Sequence, residues 1–207
     1  VEDSNLDITN IVINENISHA GAGIHTERSN VDIFNTVFSN NNAVYNGGAI
    51  RIGNGNTNTN TLDFTEVLFF NNTSGTHGGA VWGSGMHDLD FTNCTFANNS
   101  SGNGGALQLN NNVSMNINNN IIWDNALPSI ALDDAVELDV SYSDVEGGSD
   151  DISYMGNFSG SLNWGDGNID ADPLFCNAEN SDFTLYDNSP CVGTGQDGAN
   201  MGAYGIG

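Results

Sequence analysis

Six short runs along the chain place an apolar residue on either side of a polar one: Leu6-Asp7-Ile8, Val31-Asp32-Ile33, Leu62-Asp63-Phe64, Leu89-Asp90-Phe91, Met115-Asn116-Ile117 and Leu138-Asp139-Val140. They recur at steps of 25, 31, 27, 26 and 23 residues. Alternate residues of a strand face opposite sides, so the apolar pair points one way and the central carboxylate or amide the other. A second apolar position follows in the first five copies at Ile13, Phe38, Phe69, Phe96 and Ile122. Three residues beyond each stand Asn16, Asn41, Asn72, Asn99 and Asn125. A third landmark is Gly47-Gly48-Ala49-Ile50, Gly78-Gly79-Ala80-Val81 and Gly104-Gly105-Ala106-Leu107, with Gly23-Ile24 and Ala131-Leu132 as looser versions.

Runs of three to five residues bounded by Gly, Asn and Ser, rich in Ile, Val and Phe, predict strands rather than helices. Self-similarity at this period predicts a stacked repeat. The fold expected is all-β: a right-handed parallel β-helix of about six coils over residues 1–140. Residues 141–207 then form a terminal coil and an irregular capping or docking segment of the same domain. Rungs would lie about 4.8 Å apart, with the apolar pairs filling the bore. Asn16, Asn41, Asn72, Asn99 and Asn125 are expected to form a ladder, because stacked amides can satisfy one another where an isolated buried amide is costly.

Charge changes the picture. The 207 residues hold 26 acidic side chains, two arginines and no lysine, a net charge of −24. Such a surface excludes the phosphate-neutralising chemistry of nucleic-acid binding and makes cations the expected small partners. No apolar run is long enough for a membrane span, so membrane insertion is not expected. The start at Val1 without Met reads as a processed or excised portion. Cys176 and Cys191, 15 apart in the tail, are expected to form a disulfide in an extracellular setting, and Cys94 to be a small core residue.

The outward column Asp7, Asp32, Asp63, Asp90, Asn116 and Asp139 is the leading site candidate. Carboxylates one rung apart repel by about 0.9 kcal/mol per pair in water. A hard divalent ion between rungs reverses that sign, and Ca²⁺ takes six to eight oxygens in flexible geometry. A second oxygen-rich stretch, Asp166, Asn168, Asp170 and Asp172, has the spacing to present four oxygens on one side. Salt-screened solubility is the plain alternative for the column, and an ordinary turn, given the neighbours Gly165, Gly167 and Pro173, is the alternative for the second stretch. No residue stands out as catalytic. Uronate lyases need a basic residue, and Arg28 and Arg51 read as surface arginines. Trp82, Trp123 and Trp164 are candidates for sugar stacking or for packing. The low-complexity loop from Gly53 to Asn60 is expected to protrude.

Pairing of G-G-A-[ILV] with F-x-x-N across residues 6–132 resembles the repeats of polymorphic outer-membrane adhesins, and more broadly bacterial surface β-helix proteins. Gly167-Asn168-Ile169-Asp170-Ala171-Asp172-Pro173-Leu174-Phe175, Asn188-Ser189-Pro190-Cys191 and Gly202-Ala203-Tyr204 resemble an end segment of secreted β-helix proteins. The resemblance implies an extracellular or cell-surface protein. The expected role is a calcium-binding structural or adhesive solenoid, not an enzyme. It would self-associate head to tail into a filament, or bind a cell-surface or glycan ligand. A carbohydrate-active enzyme or carbohydrate-binding module is the alternative.

Overall fold

The computed structural model describes residues 1–53 and 60–207; most of the loop expected to protrude, residues 54–59, lies outside them. Among the described residues three long parallel sheets run along a solenoid, with a short fourth one of Ile17–Ser18, Asn42–Ala43 and Thr73–Ser74. The first sheet stacks Asn5–Thr9, Asn30–Phe34, Asn60–Thr65, His87–Thr92, Val113–Asn118, Glu137–Ser141 and Ser161–Trp164. The second stacks Val12–Asn14, Val37–Ser39, Leu68–Phe70, Thr95–Ala97, Ile121–Trp123 and Asp144–Val145. The third runs from Ile24–Thr26 through Ile50–Ile52, Val81–Ser84, Leu107–Asn110 and Ile130–Asp133 to Ile152–Met155. The chain is a parallel β-solenoid of about six turns.

Register carries the sequence repeat into space. Leu6 pairs with Val31, Val31 with Leu62, Leu62 with Leu89, Leu89 with Met115 and Met115 with Leu138. These side chains fill the bore, where like stacks on like: the Phe64 and Phe91 rings lie 4.3 Å apart, Phe38 and Phe69 5.1 Å, Phe69 and Phe96 4.7 Å. Stacked rings bury large area and add a further increment from their offset geometry.

Corners explain the abundance of asparagine. Asn10, Asn35, Asn93 and Asn119 turn the first corner with φ between 44° and 57°, and Asn40, Asn71 and Asn98 the second with φ between 54° and 56°. Asn tolerates this left-handed region better than other side chains that carry a Cβ. At the third corner Gly47, Gly78 and Gly104 do the same at φ 60° to 64°. Their following glycines serve another purpose: a Cβ on Gly48 would lie 2.0 Å from the Gly79 carbonyl oxygen, and one on Gly79 2.0 Å from that of Gly105. The coils touch backbone to backbone there.

Ser161–Trp164 adds a terminal rung to the first sheet, and the tail follows it. It folds back along the flank and covers the outward face of the second sheet. Phe183, with Phe175 and Tyr204, packs on Leu68, Phe70 and Ala97, and Leu185, Cys191 and Met201 pack on Ile121. The Ala203 N–H donates to Thr95 Oγ1 at 2.9 Å, and the Gly202 N–H to the Asn119 carbonyl at 2.7 Å. The reason is compositional: that outward column is apolar at Leu68, Phe70, Ala97 and Ile121, where water is a poor neighbour. Coverage stops before the first coil, leaving Val12 65% exposed.

Candidate functional site

The aspartates align. Asp7 pairs with Asp32, Asp32 with Asp63, Asp63 with Asp90, Asp90 with Asn116 and Asn116 with Asp139, all on the outward face of the first sheet. At the far rungs amides already meet the carboxylates: Asn116 Nδ2 donates to Asp90 Oδ1 at 2.6 Å, and Asn163 Nδ2 to Asp139 Oδ1. Asp7, Asp32 and Asp63 instead line a groove of about 390 Å³ with Thr9, Phe34 and Thr65. Burial, then the charges of Asp90 and Asp32, hold the Asp63 carboxyl above the usual carboxylate range. Among the described residues no group of three acidic, histidine or cysteine side chains is placed to hold a metal. Any cation here would bridge two rungs, drawing remaining oxygens from Thr9, Thr65 and water.

The second oxygen-rich stretch does not present one face. Asn168 turns inward: its Nδ2 donates to the Val140 carbonyl at 2.9 Å and its Oδ1 accepts from the Ser143 N–H at 3.0 Å. Asp170 accepts from the Gly147 N–H and Asp172 from the Leu174 N–H, while the Asp166 carbonyl accepts from Tyr142. The stretch winds around a corner, so alternation cannot align Asp166, Asn168, Asp170 and Asp172.

Two inner ladders brace the coils. Along Asn16, Asn41, Asn72, Asn99 and Asn125, each Nδ2 up to Asn99 donates to the next Oδ1 at 2.9 to 3.0 Å. Sequence reasoning missed the second. Cys94 N–H donates to Asn120 Oδ1, Asn120 N–H to Ser143 Oγ, and Ser143 N–H to Asn168 Oδ1. Its members share the position directly after the left-handed corner residue, Asn93, Asn119, Tyr142 or Gly167, but their side chains differ in kind, which hides the column.

The expected disulfide is not formed; all three cysteines are free. Cys176 follows Phe175, which faces the solenoid, so alternation turns its thiol away from Cys191. Cys191 is buried and donates to Asp144 Oδ2 at 3.1 Å. Burial beneath the tail pushes the Asp144 carboxyl up to about 6. Cys94 is wholly buried, and burial pushes its thiol up to about 12, the behaviour of a core residue.

A cleft that the sequence reading did not assemble lies on the third sheet near the first two coils. His25, Arg51, Trp82 and Gln108 form one outward column. A cavity of about 620 Å³ there is lined by Ser18, His19, His25, Glu27, Tyr45 and Arg51 among others. The signal was present: each column residue directly follows the apolar residue of the Gly-Ile or G-G-A-[ILV] landmark. Arg51 NH1 lies 3.3 Å from Glu27 Oε1 and against His25 Nε2, and its guanidinium sits 5.1 Å from the Trp82 ring centre. Arg51 is therefore a bound, oriented side chain and not a loose surface arginine. Burial, then the Arg51 charge, hold His25 below its ordinary range. Burial works to raise Glu27, but the Arg51 hydrogen bond and His25 outweigh it and hold the carboxyl below its ordinary range.

Residues 35–53, 66–84 and 93–110 match the repeat of the Chlamydia polymorphic membrane proteins. The chain is a β-helix repeat protein. Each match begins at the left-handed first-corner residue, Asn35, Glu66 or Asn93, and runs through the ladder asparagine and the double glycine, so what the chain shares with that repeat is a list of corners. No curated protein and no solved structure matches the chain. Among the described residues no helix is long and apolar enough to cross a membrane.

Proposed function

We propose that this β-helix repeat protein is an extracellular, surface-displayed adhesive solenoid rather than an enzyme. The observation that carries the reading is that the three matched repeats occupy consecutive coils of one unbroken stack, so that whatever they present forms a continuous lateral surface. Calcium is the proposed stabilising ion, bridging Asp7, Asp32 and Asp63 in pairs along their groove. Among the described residues those three rungs have no amide partners like those of Asp90 and Asp139, which supports placing the ion there.

Adhesion is tested by binding of the labelled chain to epithelial cells and to bare plastic, with a scrambled-repeat control. Absence of selective attachment defeats the adhesive reading. For calcium, a chelator is expected to lower the melting temperature by several degrees, about 1 kcal/mol for each bridged pair; an unchanged melt removes calcium from the account. Head-to-tail assembly through the outer strands of the first sheet, Asn5–Thr9 and Ser161–Trp164, belongs to the same reading. Light scattering at increasing concentration in calcium checks it, and a strictly monomeric signal excludes it.

A further inference from the structure

The geometry points to a binding site for a neutral saccharide in the cleft formed by His19, His25, Glu27, Tyr45 and Arg51. The inference deepens the adhesive reading and rests on it for its biological meaning.

Size and chemistry agree. At about 620 Å³ the cavity falls within the range of small-molecule sites, about 300–1,000 Å³. Such sites combine aromatic surface with a few oriented polar groups. Here Tyr45 is 47% exposed and its ring lies 4.4 Å from that of His19, tilted by 51°. The pair offers a broad aromatic wall. A pyranose presents C–H groups on its faces, which contact aromatic rings, and hydroxyls at its rim, which donate and accept at once. The polar part of the lining supplies both needs: Arg51 donates in a planar fork, while Glu27 accepts.

The polar wall is held before any ligand arrives. Arg51 is fixed by Glu27 at 3.3 Å, by His25 and by the Trp82 ring at 5.1 Å, and Glu27 is fixed in turn by His25 at 3.2 Å. Ordering these side chains in advance removes an entropic cost from binding.

Charge selects the class. Arg28, the other arginine, is spent on Glu2 and Asp3, with Nε 2.8 Å from Asp3 Oδ1. Around the cleft the Val1 ammonium, Arg28 and Arg51 are matched by Glu2, Asp3 and Glu27, so among the described residues there is no net positive charge with which to hold a carboxylate or sulfate. The molecule around it carries −24. An anionic sugar would meet repulsion without compensation, whereas a neutral one meets none.

The test uses the whole 207-residue chain. Saturation-transfer NMR and calorimetry are run with cellotriose, maltotriose, N-acetyllactosamine, sialyllactose and digalacturonate. The expected result is binding of at least one neutral oligosaccharide, weakened about tenfold or more by Tyr45→Ala and by Arg51→Gln and unchanged by Asp139→Asn. Both cleft variants are checked for an unaltered melt; should Arg51→Gln unfold the chain, Tyr45→Ala together with His19→Ala decides. No binding across the panel, binding of only the two acidic sugars, or binding indifferent to the cleft variants overturns the site. Sugar binding without attachment to cells would defeat the adhesive reading and leave the site standing; attachment without sugar binding would do the reverse.

Discussion

Asn72 donates twice to Asn99: its Nδ2 and its backbone N–H both reach Asn99 Oδ1 at 3.0 Å. The same amide accepts from Asn41 through Oδ1 and donates to the Phe38 carbonyl. One side chain thus ties three coils.

Asn72→Ala strands the Asn41 donors and the Phe38 carbonyl in a water-free interior, at a cost of about 3 kcal/mol. Asn16, at the exposed start of the ladder, has one such ladder bond, at 2.9 Å. Asn16→Ala should therefore cost less than about 1 kcal/mol. Urea unfolding of the two variants measures the difference, and equal losses would show that the ladder is not what ties the coils.

Gly79→Ala tests backbone contact between coils. A Cβ would stand 2.0 Å from the Gly105 carbonyl oxygen and 2.6 Å from the Ser100 nitrogen, neither of which can rotate away. The coils must part, with loss of roughly 4 kcal/mol or more. At Gly83 the nearest atom is a Leu109 methyl at 3.3 Å, the tip of a side chain that can yield. Gly83→Ala should cost about 1 kcal/mol. Thermal melts of both variants decide; tolerance at Gly79 would contradict the stacking.

Asp63 sits between like charges on neighbouring rungs, Asp32 and Asp90. Asp63→Asn removes both repulsions, each about 0.9 kcal/mol in water. In a chelator the variant should melt above the wild type. If calcium bridges these rungs, the variant should also lose most of the gain that calcium gives the wild type. Differential scanning calorimetry with and without calcium reads both effects.

The stacked sheets were legible because their signal is local and repeated: Leu-Asp-Ile needs no distant partner to say which side faces in. The third sheet's outward column was equally local, yet His25, Arg51, Trp82 and Gln108 share no chemistry, and only their place after the glycine landmark unites them. The tail was not legible. Its contacts join residues as distant as Thr95 and Ala203, and nothing near Phe183 announces Phe70 as its neighbour. Asn168 misled for a related reason: spacing by two implies one face only in a straight strand, and residues 165–172 bend around a corner. Cys191 looked like half of a disulfide because spacing alone does not show that an aspartate from the sixth coil, Asp144, takes up its thiol.

That Asp144–Cys191 contact makes attachment of the tail depend on pH. Asp144 Oδ1 accepts from the Ala171 N–H at 3.1 Å and Oδ2 from Cys191 Sγ, so the carboxyl joins the sixth coil to both ends of the segment that folds back. Burial is the main cause that raises the carboxyl to about 6, with Asp170 and Asp172 adding repulsion and the Cys191 and Ala171 hydrogen bonds opposing it. Because the folded value exceeds the ordinary 3.8, folding favours the neutral acid. The stabilisation is complete below about pH 4, falls as pH rises through about 6, and is level above that, a loss of roughly 3 kcal/mol by linkage. Asp63 and Glu146 are also raised, so they bias the whole molecule in the same direction. Asp144→Asn separates the local effect from theirs. Hydrogen exchange of the Gly202 and Ala203 amides, which hold the tail to Asn119 and Thr95, should show greater protection at about pH 5 than at about pH 8 after correction for the intrinsic rate. In Asp144→Asn that contrast should shrink markedly. Protection that rises with pH in the wild type, or a contrast that survives the substitution intact, would show that the tail is held independently of this carboxyl.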